Sequence, residues 1–168
     1  MKVAKNTVVS LAYDLKLILT SELIEEVTEN DPLKVLVGCG HLIPTFEKNI
    51  RGLSKNDTFC FELEASEAFG ERKDESVIEI SKDAFLVNGE LVNELLVEGQ
   101  YIPIASPNGS EESQGLVLEV RENSVLMDFN HPLAGQKVVF DGKIVEVRNA
   151  TAKEIEHKFV EGSEADQL

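Results

Sequence analysis

Between Val9 and Leu19 every odd position is apolar: Val9, Leu11, Tyr13, Leu15, Leu17 and Leu19, with Ser10, Asp14 and Lys16 among the residues between them. An amphipathic helix would repeat its apolar residues every three or four positions. Period two over this length therefore predicts a long strand with one buried face. Such a strand needs partners, and the rest of the chain is rich in candidates.

Leu23 to Val27 reads as the return strand. The stretch DPLKVLVGCGHLIPTFEKNIRGL then changes character, with Gly38 and Gly40 marking a loop. Ile43, Phe46 and Ile50 follow at helical spacing, with Pro44 in the first turn and Gly52 just past the end. That pattern predicts a short amphipathic helix of about two turns. NDTFCFELEA returns to period two, Phe59, Phe61 and Leu63 alternating with Cys60, Glu62 and Glu64.

After EAFGERKDES the composition shifts. Val77, Ile78 and Ile80 form a short strand, and SKDAF reads as one helical turn capped by Ser81. Asn88-Gly89 signals a turn. VEGQYIPIAS is a strand interrupted by Pro103, hence an edge. SPNGSEESQ (106–114) is a polar loop. A hairpin follows, with Leu116, Leu118 and Val120 on one arm and Val125, Met127 and Phe129 on the other. Past MDFNHPLAGQ comes KVVFDGKIVEVRNA, a further strand-rich segment with a turn or bulge signal at Asp141-Gly142. Thr151 and Glu154 form a capping box before a short terminal helix, and VEGSEADQL is an acidic tail. About eight strands and two or three short helices that do not alternate place the chain in the α+β class, with a largely antiparallel sheet.

Composition narrows the function. Acidic residues outnumber basic ones 31 to 16 for a net charge of −15, which argues against sequence-independent nucleic-acid binding. Cys39 and Cys60 lack a metal-ligand spacing beyond the weak pair Cys39 and His41, so no metal and no cofactor is expected. The start MKVAKNTVVSLAYD lacks the apolar core of a secretory leader, and no apolar run is long enough to span a bilayer. A soluble cytoplasmic protein is expected, most simply a monomer. No serine sits in a nucleophile elbow, and GCGHLIPTF lacks the remaining residues of a phosphate-binding loop. The residue pattern alone stops at an acidic α+β chain with an inserted β-rich unit.

Three stretches carry more: MKVAKNTVVSLAYDL, GCGHLIPTFEKNIRGLSKNDTFCFELEASEAFGER and MDFNHPLAGQKVVFDGKIVEVRNATAKEIEH. In order and spacing they resemble the SlyD branch of the FKBP-type peptidyl-prolyl cis-trans isomerases. The second resembles that family's glycine-rich loop, helix, strand and Ala-Tyr-Gly turn, and the third its Asn-His-x-Leu-Ala-Gly-Gln motif. The resemblance implies a half-open antiparallel sheet wrapped on a short helix, formed by residues 1–69 and 130–151. It also implies a small β-rich chaperone domain inserted at 70–129, with 152–168 as terminal helix and tail. The implied partners are unfolded or proline-containing polypeptides, and the implied activity is rotation about X–Pro bonds in an apolar pocket. The alternative is a chaperone or binding module that kept the fold and lost isomerisation.

Carried over residue by residue, the resemblance makes Tyr13 a pocket wall, and Leu42 and Ile43 the aliphatic pair entering the helix. The Ile43 backbone N–H would donate to a substrate carbonyl. Phe46 becomes the floor, and Phe140 an aromatic of the last strand. Leu133 and Ala134 would close one rim, with Asn130, His131 and Pro132 setting the chain direction beside it. Three departures from the family pattern stand out. Phe69 replaces the turn tyrosine and lacks its hydroxyl. Glu25 stands where many members carry the shorter Asp. Leu33 and Val35 stand where others carry phenylalanine. In the insert, Val77, Ile80, Phe85, Tyr101, Ile102 and Ile104 are the candidates for client contact. Read without the resemblance, all of these are residues that half-buried elements or a small domain's own core would need anyway.

Overall fold

The computed structural model describes residues 1–87, 90–91, 96–105 and 112–160. The chain divides into two compact units, Met1–Gly70 with the chain from Gly135 onward, and Glu71–Ala134. In chain order the elements are β1 (Thr7–Leu17), β2 (Leu23–Val27), β3 (Leu33–Leu36), α1 (Pro44–Ile50), β4 (Thr58–Leu63), β5 (Val77–Ser81), β6 (Leu86–Val87), β7 (Glu90–Leu91), β8 (Tyr101–Ala105), β9 (Glu112–Val120), β10 (Ser124–Asp128), β11 (Val138–Asn149) and α2 (Ala152–His157). The Asn88-Gly89 turn, most of the 106–114 loop and the tail from Glu161 lie outside the described residues.

The first unit is a five-stranded antiparallel sheet in the order β2-β1-β11-β4, with β3 on β1 as well. β1 is its central strand. β11 runs along one edge of β1, while β3 covers the first half of the other edge and β2 the second half. The alternation expected of a half-buried strand starts only at its far end. Thr7 to Tyr13 are all buried, and Asp14 is the first half-exposed residue. The strand stops at Leu17, and Leu19, 86% exposed, lies beyond it in the turn. β3, which the glycine-punctuated reading passed over, is too short for its period to be visible.

α1 occupies the segment that its apolar spacing predicted, with Phe46 and Ile50 buried. Proline starts it and Gly52, at φ +90°, follows its end. The Asp141-Gly142 signal marks neither a turn nor a bulge, because β11 runs straight through it. The register with β1 shifts instead between Ser10 and Leu11, which leaves Val145 as the extra residue. What Gly142 supplies is space. A Cβ there would lie 2.4 Å from the Ala12 carbonyl oxygen, 2.6 Å from Tyr13 Cβ and 2.7 Å from Phe59 Cζ.

α2 carries the expected capping box. The Glu154 N–H donates to Thr151 Oγ1 at 3.2 Å, and the Thr151 N–H donates to Glu154 Oε2 at 2.8 Å. Glu154 is only 1% exposed, and its charge is balanced by both guanidinium arms of Arg148, at 2.9 and 2.6 Å. A buried carboxylate needs that pairing, since its desolvation would otherwise cost several kcal/mol.

The second unit is a four-stranded antiparallel sheet in the order β5-β10-β9-β8, with the β6–β7 pair beside it in sequence. β8, which contains Pro103, is an edge strand, as its sequence requires. The core consists of Leu96, Ile102, Val117, Val125 and Met127. The expected Leu116–Leu118–Val120 face is corrected by a bulge. Val120 pairs with Val125 and Val117 with Met127, so Leu118 is the extra residue and the phase of β9 flips across it. Val117 and Val120 thereby share the core face.

Candidate functional site

One face of the first unit's sheet carries a cluster of aromatic rings. Phe46 of α1 sits at the centre, 2% exposed. Its ring meets four others in edge-to-face geometry: Phe140 at 4.8 Å, Phe61 at 5.2 Å, Phe59 at 5.6 Å and Tyr13 at 5.9 Å between centroids. Tyr13 and Phe140 are 5.6 Å apart, and Phe59 stacks on Phe61 at 29°. The register explains the convergence. Phe140 lies opposite Leu15 and Phe61, while Gly142 lies opposite Tyr13 and Phe59, so these side chains rise from one sheet face. Edge-to-face pairs add about 0.5–1.5 kcal/mol each beyond their burial, so the rings hold one another in place.

Tyr13 brings the polar group. Its hydroxyl donates to Glu25 Oε2 at 3.1 Å, Glu25 standing diagonally across from it because Leu15 pairs with Glu25 and Tyr13 with Val27. The longer side chain of glutamate thus makes the contact expected of an aspartate. Burial, and after it the neighbouring carboxylate, pushes the Tyr13 hydroxyl well above its ordinary range. The group is a neutral donor at every physiological pH.

Leu42 is buried and Ile43 half-buried at the entry to α1, where the Ile43 carbonyl accepts from the Glu47 N–H at 3.0 Å. The Ile43 N–H has no acceptor among the described residues. It is therefore available to a ligand. Leu33 begins β3, half-buried and opposite Leu11, while Val35 is fully in the core. Phe69 lies half-buried in the turn after β4, between the 3₁₀ turn Ala65–Glu67 and Gly70. Leu133 belongs to the second unit, in a turn where its N–H donates to His131 Nδ1 at 3.0 Å and the Ala134 N–H donates to the His131 carbonyl at 2.9 Å. His131 is thus part of the turn's own hydrogen bonding.

The structure adds Phe59, Phe61 and Gly142 to the residues that sequence reasoning placed at the site. The period-two pattern of β4 was a usable signal for the two rings. Phe61 and Phe59 also supply aromatic surface from β4, on a chain where Leu33 and Val35 withhold it from β3. Of the six insert candidates, Ile102 is a core residue, 4% exposed, and Ile80, Phe85 and Ile104 pack against that core. Val77 is half-buried and Tyr101 is 45% exposed. Ile78 and Val97 are similarly exposed.

Among the described residues no group of three or more His, Cys, Asp or Glu could hold a metal ion. No described helix is long and apolar enough to cross a membrane.

Residues 1–87 match the family model for FKBP-type peptidyl-prolyl cis-trans isomerase. A Pasteurella multocida (strain Pm70) protein named FKBP-type peptidyl-prolyl cis-trans isomerase SlyD is 35% identical over 159 residues, covering 94% of this chain and 75% of its own length. Proteins of the same name from Escherichia coli (strain K12) and Haemophilus influenzae (strain ATCC 51907 / DSM 11121 / KW20 / Rd) are 34% and 32% identical, each over 97% of this chain and over 79% and 82% of their own lengths. With more than half its length matched by the family model and nearly all of it by these relatives, the chain belongs to the FKBP-type peptidyl-prolyl cis-trans isomerases, in their SlyD-like branch.

Proposed function

We propose that the protein is a peptidyl-prolyl cis-trans isomerase and folding chaperone, acting on proline-containing polypeptides. The observation that carries this is the cluster of five aromatic rings with a neutral tyrosine donor among them. An X–Pro bond rotates over a barrier of about 18–20 kcal/mol because the amide loses resonance as it twists. The twisted imide is less polar than the planar one. An apolar cup that strips water from it therefore binds the transition state better than the ground state, with no acid, base or metal required. The Ile43 N–H and the Tyr13 hydroxyl are the donors that would orient flanking carbonyls.

In this reading the first unit is the isomerase domain and the second, Glu71–Ala134, captures clients. The exposed Ile78, Val97 and Tyr101 support that role, since adaptable apolar surfaces bind many sequences weakly. The Tyr13–Glu25 bond removes one of the two features favouring a module that has lost isomerisation, leaving Phe69.

The test is proline-limited refolding of a substrate protein with catalytic amounts of the chain. Acceleration of the slow phase is expected. Suppressed aggregation without acceleration would leave a chaperone and overturn the isomerase.

A further inference from the structure

On the side of α1 opposite Phe46 and Ile50 a cleft of about 490 Å³ opens, lined by Lys5, Leu42, Pro44, Glu47, Lys48 and Arg51. Its charge is the reverse of the molecule's: three cations face one carboxylate, on a chain with 31 acidic residues and 16 basic. That carboxylate is already engaged, Glu47 Oε2 accepting the Gly38 N–H at 3.0 Å and Oε1 accepting from Arg51. Among the described residues Lys5 and Lys48 have no ion-pair partner. The stem of Lys5 lies against Gly38, which has φ +92° and where a Cβ would come within 2.9 Å of Lys5 Cγ. The glycine thus lets the lysine lie along the cleft wall.

Two lining residues, Leu42 and Pro44, flank Ile43, the donor assigned to the substrate carbonyl. The cleft lining therefore includes the residue on each side of that donor. An extended chain advances about 3.3 Å per residue, so a side chain within about three residues of the proline can reach it. Charges farther off than about 8–10 Å are screened at physiological salt, which makes the local cations outweigh the distant acidic excess.

We propose that this cleft is a specificity subsite that takes the carboxylate of an Asp or Glu close to the proline of a client chain. The proposal rests on the isomerase reading and extends it to a substrate class, acidic X–Pro segments. Such segments would otherwise be repelled by a surface of this net charge.

The test uses the full chain and two peptides with one X–Pro core, carrying Glu or Gln two residues from the proline on each side. The wild type is expected to favour the Glu peptide in kcat/KM by about fivefold at low salt, the sum of two exposed charge contacts, mostly through KM. Salt of about 0.5 M should erase the preference. Lys5→Glu/Lys48→Glu should invert it, and Lys48→Gln alone should halve it while leaving thermal unfolding unchanged. A Glu-to-Gln ratio of one in the wild type, or a ratio that charge reversal leaves unmoved, overturns the subsite. If neither peptide is turned over, the isomerase reading falls. Calorimetric titration with the Glu peptide then decides the cleft: salt-sensitive binding lost in Lys48→Gln upholds it, and its absence overturns it.

Discussion

Under the proposed function the two units meet opposite demands with different material. The first locks four aromatic rings around Phe46, so the surface that the proposed function offers to a substrate is fixed before it arrives. The second has a small aliphatic core and leaves Ile78, Val97 and Tyr101 exposed near its strands. A pocket that must stabilise one twisted geometry gains from rigidity, because only interactions stronger in the transition state raise the rate. A surface that must hold many unfolded sequences gains from being able to repack.

The largest expected effect attacks the locked side. Phe46→Ala removes the ring on which the other four converge and should destabilise the first unit by about 3–5 kcal/mol, abolishing peptide isomerisation. Hydrogen exchange in β9 and β10 should stay at wild-type rates, since the second unit has its own core. Loss of protection in both units together would break the comparison. Next in size, replacing residues 71–134 by a short loop should lower activity on an unfolded protein by about a hundredfold, through lost effective concentration of the client. Activity on a short peptide should persist.

Gly142→Ala should cost about 1–3 kcal/mol, because the new methyl meets the Ala12 carbonyl and the Tyr13 and Phe59 side chains. Adding Phe59→Leu should recover part of it, as read from thermal unfolding. The smallest effect is expected from Tyr13→Phe, about 1 kcal/mol for one hydrogen bond. This variant also has a pH signature. The Tyr13 hydroxyl ionises near 10 in the unfolded chain and higher in the folded one, so the folded state keeps the proton that the unfolded state loses. Stability should be constant below pH 10 and fall above it, by up to about 1.4 kcal/mol per pH unit for this group. In Tyr13→Phe that part of the fall should vanish.

Local pattern carried much of this architecture. The spacing of Ile43, Phe46 and Ile50 defined α1, Pro103 put β8 at an edge, and Thr151 with Glu154 capped α2. Partnering between distant strands is what local pattern could not carry. Nothing around Thr7–Tyr13 tells that two further strands share its second edge, or that its side chains are buried on both faces. The bulge at Leu118 moves Val117 into the core without leaving a mark in the alternation. Gly142 looks like any Asp-Gly turn until Tyr13 and Phe59 are found on either side of it. At the site, the resemblance supplied Tyr13, Phe46 and Phe140, whereas the period of β4 put Phe59 and Phe61 on one face and only its pairing with β11 puts them beside Phe140.

The stems of the second unit have a consequence for how the chain reaches its native state. The Gly135 N–H donates to the Gly70 carbonyl at 2.8 Å, and Asn130 is bonded to both the N–H and the carbonyl of Lys73, at 2.8 and 2.9 Å. Leu63 and Val138 are paired neighbours, yet everything from residue 64 to residue 137 separates them along the chain. Closing so long a connection is paid for in entropy, by an amount that grows with the logarithm of its length. Once Glu71–Ala134 has folded and its ends are zipped, only two short arms remain to be closed, a saving of about 2 kcal/mol. Folding of the insert ahead of its host would therefore speed the final docking of β11, so the segment that interrupts the sheet also hastens its completion.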